Sequence, residues 1–271
     1  MFEPAIRSTH LDVAIAAADR AGNVIKNFFG EQIQATSKMI GAQSHGLVTA
    51  ADLEAERVIV ETIRQYFPDH AVMAEERHAN EISAEHLWIV DPLDGTNNFA
   101  HHIPHCAVSI AYYRDSVAQC GVIYNPLNGD WYVTQQGRGA WRGDQPVTVD
   151  RQLTLEQSLI GFGFYYERDR WMRATLDAIG ELFASGVQGV RRMGTASLDL
   201  VNVGTGRFGG YFEFTLAPWD FAAGRLFVEE AGGRVTDCKG NPLPVGKTSV
   251  LASNGILHDR LLAIIGRSYP I

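Results

Sequence analysis

Two carboxylates three residues apart, Asp91 and Asp94, stand in the stretch W-I-V-D-P-L-D-G-T-N-N-F that runs from Trp88 to Phe99. The chemistry they could do follows from what precedes and follows them. Leu87-Trp88-Ile89-Val90 is a short apolar run, rich in β-branched and aromatic side chains, of the kind that forms a buried strand. Pro92 is expected to end that strand, because it brings no N–H and fixes φ. Asp-Gly-Thr can then turn the chain into a helix, with Asp94 or Thr96 near its N-cap. Carboxylates at a strand end, converging across a turn, repel each other unless a cation lies between them. An oxygen-only set of ligands favours Mg²⁺ over Zn²⁺. Gly95 lets a substrate approach the backbone, and the N–H groups of a starting helix face an anion held by the metal. A bare D-x-x-D would be a solvated surface turn. Placed behind an apolar strand and ahead of Gly-Thr, it reads as a metal and phosphate site.

Other acids could join this centre, each with a plainer reading beside it. Ala71-Val72-Met73-Ala74 is a short apolar strand ending in Glu75-Glu76, which can reach the same cluster. Asp52 lies in the first turn of a helix, where by itself it only complements the helix dipole. Glu213 stands among aromatics in the strand Tyr211 to Phe214, facing either solvent or the hydroxyls of a ligand. Asp220 follows Pro218-Trp219 at the start of a helix and alone reads as a cap. Gly194-Thr195-Ala196 is a strand-to-helix turn whose N–H groups could face a substrate; the adjacent Arg191 and Arg192 are read as solvated. Lys38 could reach a phosphate or stand in solvent. His101, His102 and His105 are close in sequence, but H-H-x-x-H fits no helix face and no zinc spacing, so packing or a pocket rim is preferred. Gly204 to Gly209 fits G-x-G-x-x-G literally. It follows a helix and leads into a strand, the reverse of the dinucleotide-binding order, so it is read as a helix stop and turn.

These residues need a scaffold, and the hydrophobic pattern supplies one. Leu11, Ile15, Ala18, Gly22, Ile25 and Phe29 form one stripe of a helix over 8–29, with Gly30 as its C-cap. Residues 31–46 read as a loop or short hairpin. A second helix runs to about Phe67 and stops at Pro68. Strands from Ala107 to Tyr113, Ala118 to Tyr124 and Trp131 to Thr134 make an antiparallel meander, after which 137–143 continue as turns. Then follow a strand from Leu159 to Phe164, a helix from about Arg168 to Phe183, a helix over 197–203, the Glu213 strand and the Pro218–Ala231 helix. A strand (Ser249–Ser253) and a helix (Leu257–Ile265) close the chain. The 271 residues, 46% hydrophobic, suffice for a sizeable core in one large domain or two packed lobes. A net charge of −8 argues against nucleic-acid binding as the main activity. Cys106, Cys120 and Cys238 lie far apart and read as reduced thiols of a cytoplasmic protein. The sequence carries no membrane span and no secretory signal.

W-I-V-D-P-L-D-G-T-N-N-F resembles the core motif of the inositol monophosphatase family, Mg²⁺-dependent and lithium-sensitive phosphatases. The resemblance extends through L-V-T-A-A-D, V-M-A-E-E, G-T-A-S-L-D-L, the Glu213 strand, P-W-D-F-A-A-G and E-A-G-G-R-V-T-D, in the family's order and over nearly the whole chain. Gly46 stands where many members carry an acid, and Ala74 where glycine is usual. The resemblance implies an α/β layered sandwich of helices and mixed sheets, a single domain of two lobes (about 1–145 and 146–271), and a homodimer. It implies that Glu75, Asp91, Asp94, Asp220 and the Leu93 carbonyl hold Mg²⁺, two or three ions in the family. Asp52 and Thr96, with Glu75, would activate the attacking water. Gly95 and Thr96 would hold the phosphate, and Ala196, Glu213 and Asp220 would meet the alcohol. The expected activity is hydrolysis of a small phosphorylated metabolite, inositol 1-phosphate first. Histidinol phosphate, fructose 1,6-bisphosphate and nucleoside 3′,5′-bisphosphates are rivals, and a regulatory binding protein that keeps the fold is an alternative of another class.

Overall fold

The computed structural model describes residues 8–30, 36–40, 43–76, 84–152, 154–164 and 169–270, with only the backbone described within 36–40 and 43–48. In chain order the first half holds α1 (Thr9–Phe28), β1 (Thr36–Ile40), β2 (Gln43–Val48), α2 (Ala50–Tyr66), β3 (Ala71–Ala74), β4 (His86–Asp94), α3 (Thr96–Ala100), β5 (Ala107–Arg114), β6 (Val117–Asn125), β7 (Asp130–Gln135), β8 (Gly139–Arg142) and β9 (Gln145–Val147). The second half holds β10 (Leu159–Phe162), α4 (Arg170–Ala184), β11 (Gly189–Arg191), α5 (Ala196–Gly204), β12 (Gly210–Leu216), α6 (Pro218–Glu230), β13 (Arg234–Thr236), β14 (Thr248–Ser253) and α7 (His258–Ile265).

Among the described residues the strands form a hairpin, β1–β2, and two larger sheets. One has the order β3-β4-β5-β6-β7-β8-β9 and the other β11-β10-β12-β14-β13. Both are mixed: β3 pairs with β4 in parallel and the rest of the first sheet is antiparallel, whereas β10 runs parallel to β11 and β12. The layers follow from strand alternation. Trp88 and Val90 of β4 pack with α1 and α2 on one face, while Leu87 and Ile89 pack with α5 and α6 on the other. The second sheet takes the far side of α5 and α6 through Tyr211, Val250 and Ala252, and its other face is covered by α4 and α7 against Phe162, Phe212 and Phe214. The result is helix, sheet, helix, sheet, helix, as the resemblance implies. Burying a Leu, Ile or Phe side chain of these faces contributes about 1.5–3 kcal/mol, so a one-residue slip of a strand buried on both faces is costly.

The sequence and the structure part company in places, each with a physical reason. Pro92 does not end its strand. β4 pairs through Asp91↔Ser109 and resumes at Asp94↔Ala107, so three steps on β4 face two on β5. Pro92 and Leu93 occupy this bulge, where a missing N–H is tolerated. The helix after it is a single turn, with Gly95 (φ 93°) rather than Asp94 or Thr96 as N-cap, too short to carry a helix-terminal anion site. Residues 139–142, expected as turns, extend the meander as β8, and β9 and β13 are short strands that the pattern did not mark. Phe29 is the C-cap of α1, and Gly30 beside it takes the left-handed conformation. The backbones of 36–40 and 43–48 pair as the hairpin; the Lys38 side chain, residues 31–35, 41 and 42, and Arg168 lie outside the described residues. Gly204 to Gly209 lies between α5 and β12, helix before strand.

At the end of β4 away from Asp91, aromatic and imidazole rings stack. His10 lies 4.0 Å from Tyr112 and 4.5 Å from Phe67, and His70 lies 4.6 Å from Phe67 and 4.3 Å from His86, centroid to centroid. The Trp88 indole N–H donates to His70 Nδ1 at 3.1 Å, so that nitrogen must be unprotonated. Burial, then the charges of His86 and His10, push His70 down from 6.5 to about 4, against the opposing pull of Asp69. The fold therefore favours the neutral ring and the unfolded chain takes up the proton first, so this contribution to stability is lost as pH falls from about 6.5 towards 4. Replacing His70 with Phe keeps a stacked ring without the titration. The urea midpoint of wild type should drop more than that of His70→Phe between pH 7 and pH 5. A constant gap between the two proteins over that range would refute this.

Candidate functional site

The parallel register of β3 and β4 brings the first two acids together. Ala74 pairs with Val90, which sets Glu75 beside Asp91 at the same end of the sheet. The β4 bulge then delivers Asp94 to the same place. Gly95 makes the next turn possible: its φ of 93° is left-handed, and a Cβ there would lie 2.4 Å from Thr195 Oγ1 and 3.0 Å from the His105 carbonyl oxygen. Asp220, third in α6, accepts the Ala217 N–H at 2.7 Å, so its capping role is real. It also lines the same pocket as Glu75, Asp91, Leu93 and Asp94. This cavity, about 440 Å³, lies between the carboxyl end of β4, the N-terminal turns of α5 and α6, and one face of β12.

Asp91, Asp94 and Asp220 are each anchored through one carboxylate oxygen. Asp91 Oδ1 accepts the Leu93 N–H at 3.1 Å. Asp94 Oδ2 accepts both the N–H and the hydroxyl of Ser197, at 2.7 and 2.6 Å, and so caps α5 from a different part of the chain. Thr195, the sequence-level cap of α5, gives its hydroxyl instead to His105 O at 2.8 Å. Burial raises Asp91 well above the ordinary carboxylate range, and the charges of Glu75, Asp94 and Asp220 raise it further. Asp94 is pushed up to about 6 by burial, with Ser197 pulling the other way and Glu75 adding to the rise. Asp220 is raised by burial and then by Asp94 and Glu75. Among the described residues no three acidic or histidine side chains have closed into a ready-made metal cage. The backbone brings these acids together, and burial and mutual repulsion oppose their ionised forms. Oxygen-only donors whose charges oppose one another fit a hard divalent cation, which would relieve the strain among them.

Beside the acids lies a tightly bonded pair. Thr96 Oγ1 is 2.8 Å from Asp52 Oδ1 and 3.1 Å from the Leu93 carbonyl oxygen. Asp52 Oδ2 accepts the Thr49 N–H at 2.8 Å and its hydroxyl at 2.5 Å, completing the capping box of α2. Asp52 is fully buried, and Thr96, not Asp52, lines the cavity.

Other expected residues line the same cavity. Ala196 opens α5 and lines the pocket. Glu213 is buried, and burial pushes it up to about 7 even though the Tyr211 hydroxyl, 2.7 Å from Oε2, lowers it. Glu213 lies so close over the backbone that a Cβ on Gly163 would fall 1.7 Å from its Oε2. Arg191 is outside the cavity and Arg192 lines it. The sequence reading missed Gly163, Tyr211, Thr215, Ser197 and Asp199. Two signals were available. Tyr211 and Thr215 share Glu213's face at a spacing of two, and Asp199 stands one helical turn after Ala196.

Comparison with known proteins agrees with this geometry. The sequence profile of the inositol monophosphatase family matches residues 7–268. The chain is similar to the inositol-1-monophosphatase of Synechocystis sp., 37% identical over 96% of this chain and 90% of that one. It is also similar to a putative Nus factor SuhB of Neisseria meningitidis, 38% identical over 94% of this chain and 97% of that one. Among solved structures it resembles the extragenic suppressor protein suhB of Bartonella henselae, with a TM-score of 0.87 and 35% identity over 95% of this chain and 98% of that one. It also resembles inositol monophosphate-bound SaIMPase-II, with a TM-score of 0.79 and 30% identity over 93% of this chain and 92% of that one. Shared sequence over nearly the full length, the layered fold and a pocket ringed by buried acids lead to one conclusion: the chain is a phosphoric monoester hydrolase of the inositol monophosphatase family.

Proposed function

We propose that this protein is a Mg²⁺-dependent phosphatase of a small polyol phosphate, with inositol 1-phosphate as its substrate. The carrying observation is that Glu75, Asp91, Asp94 and Asp220 line one cavity together with Ala196 and Glu213. Those four carboxylates, with the Leu93 carbonyl, would hold two or three Mg²⁺ ions. When bound, the metal neutralises phosphate charge and lowers the pKa of a coordinated water. The remaining work belongs to the chain. Asp52, holding the Thr96 hydroxyl at 2.8 Å, fixes that group so that a lone pair can accept from the attacking water, and Asp52 draws off the proton through it. Glu75 lines the same cavity and assists in placing that water. Gly95 and Thr96 offer backbone N–H groups to the phosphate. Ala196, Glu213 and Asp220 orient the alcohol so that attack and departure lie in line. A single domain of two lobes, about 1–145 and 146–271, would then close the cavity between its sheets.

The experiment is phosphate release from inositol 1-phosphate, histidinol phosphate, fructose 1,6-bisphosphate and adenosine 3′,5′-bisphosphate, with Mg²⁺ and with EDTA. The proposal expects Mg²⁺-dependent release with inositol 1-phosphate preferred; a clear preference for histidinol phosphate would replace the polyol with an amino alcohol. The name of the Synechocystis relative supports this choice of substrate. The name of the Neisseria relative, a putative Nus factor, supports a second, regulatory role, tested by pull-down, and the charge of −8 argues against direct RNA contact. A homodimer in the cytoplasm completes the proposal, supported by three free, buried thiols of a kind suited to a reducing compartment.

Gly163 supplies a sharp check on Glu213. A methyl group at 1.7 Å from Oε2 must displace that carboxylate and break its bond with Tyr211. Gly163→Ala is therefore expected to raise KM for inositol 1-phosphate about tenfold, the effect of losing a well-placed hydrogen bond, with a smaller change in kcat. Unchanged KM would show that Glu213 does not meet the substrate.

A further inference from the structure

The cavity that Ala196 and Glu213 line also contains polar atoms that neither the fold nor the reaction described above uses. Asp199 is 1% exposed and lines the cavity, yet its Oδ1 has no hydrogen-bond partner among the described residues. Thr215 Oγ1, on the Glu213 face of β12, is in the same position. The Asp199 backbone is fully occupied in α5, its N–H donating to Thr195 O at 3.0 Å. An acid in the first turn of a helix complements the dipole, but a surface acid would do that equally well. A buried one with an unfilled oxygen is otherwise unfavourable, which points to a ligand.

We propose that Asp199 is a further substrate-contacting residue, which accepts a hydrogen bond from a hydroxyl of the alcohol portion and thereby sets specificity for polyol phosphates. This rests on the polyol reading given above. The geometry on α5 supports it: Ala196 and Asp199 are one turn apart on one face, so a substrate that meets Ala196 extends towards Asp199. Arg192 and Lys247 line the same cavity, and Arg192 acts on Asp199 and Glu213 alike. A hydroxyl can donate to Asp199 Oδ1 and accept from a neighbour such as Thr215. A site built to bond a hydroxyl rejects analogues that lack it, because its own polar atoms are then left unpaired.

The test compares two substrates of the Mg²⁺-loaded protein: inositol 1-phosphate and p-nitrophenyl phosphate, whose leaving group carries no further hydroxyl. Asp199→Leu, which cannot accept a hydrogen bond, should lower the ratio of their kcat/KM values tenfold or more, chiefly through KM for inositol 1-phosphate. Asp199→Asn, which keeps an acceptor, should restore most of that ratio, and Thr215→Val gives an independent reading should the Leu variant fail to fold. A ratio within about twofold of wild type in Asp199→Leu and Thr215→Val, or an equal loss on both substrates, would overturn the proposal. If wild type releases phosphate from p-nitrophenyl phosphate but from no polyol phosphate, the polyol reading itself is wrong, and that shows before any variant is made.

Discussion

Asp91→Asn is expected to lower turnover by at least about 10³-fold while leaving the metal-free protein as stable as wild type or more so. The two halves of this expectation have the same source. Asp91 is 1% exposed, and both burial and the charges of Glu75, Asp94 and Asp220 oppose its ionised form. A carboxylate whose pKa is raised in the fold destabilises the fold above its unfolded pKa, so at pH 7 the wild-type charge is a liability unless a cation answers it. Asparagine has the same shape and can still accept the Leu93 N–H, now 3.1 Å from Oδ1. It removes repulsion and leaves no new cavity. What it cannot do is hold a divalent cation as a carboxylate does, and the chemistry that cation supplies accounts for several kcal/mol of barrier, at about 1.4 kcal/mol for each tenfold in rate. The measurement is a pair of melting curves beside an activity assay. In EDTA at pH 7 the variant should melt at or above wild type. On adding Mg²⁺ the wild-type transition should rise and the variant's should rise much less. Near-normal phosphate release by Asp91→Asn at saturating Mg²⁺ would remove Asp91 from the proposed metal set.

The difference between what the sequence disclosed and what it concealed has a physical basis. β3, β4 and the main helices were legible because each buries a regular stripe or alternation, and periodicity survives in one dimension. The acids were legible because apolar strands ending in carboxylates are chemically unusual, and the family resemblance tied distant ones together. The bulge at Pro92 was not legible, since it depends on β5 being there to continue the ladder at Ala107. Nor was the cap of α5. Thr195 has the right type and position, but Asp94 arrives from another part of the chain to do the bonding, and the Thr195 hydroxyl turns to His105. Gly163 is silent in sequence, its importance being a carboxylate that lies against its Cα from another strand. Asp199 looked like any acid in a first helical turn until its burial and its unfilled oxygen were known. In each case the missing information is a contact between residues far apart in the chain.

Thr96→Ala should cost about 10² to 10⁴-fold in kcat, the usual worth of a positioned general base and its relay, with a much smaller change in KM. Asp52→Asn should cost a similar factor, and the double variant should be little worse than either alone, because two groups that move one proton act as a unit. The structural grounds are specific. The Thr96 hydroxyl has one proton, and its shortest acceptor is Asp52 Oδ1 at 2.8 Å. That bond orients the oxygen and leaves a lone pair for a water. Asp52 is in turn fixed by Thr49, whose N–H and hydroxyl both reach Oδ2, so the carboxylate cannot swing to follow a displaced partner. Asp52 also serves the capping box of α2, and asparagine should weaken that cap by about 1 kcal/mol. Both singles should therefore melt lower than wild type, Asp52→Asn through its cap and Thr96→Ala because it withdraws a hydroxyl from the fully buried Asp52 Oδ1. Thr96→Ser, which keeps the hydroxyl, should recover most of the rate. If the losses of the two single variants multiply in the double variant, Asp52 and Thr96 contribute independently, and the base that activates the water must be sought among the acids of the metal cluster, with Glu75 first.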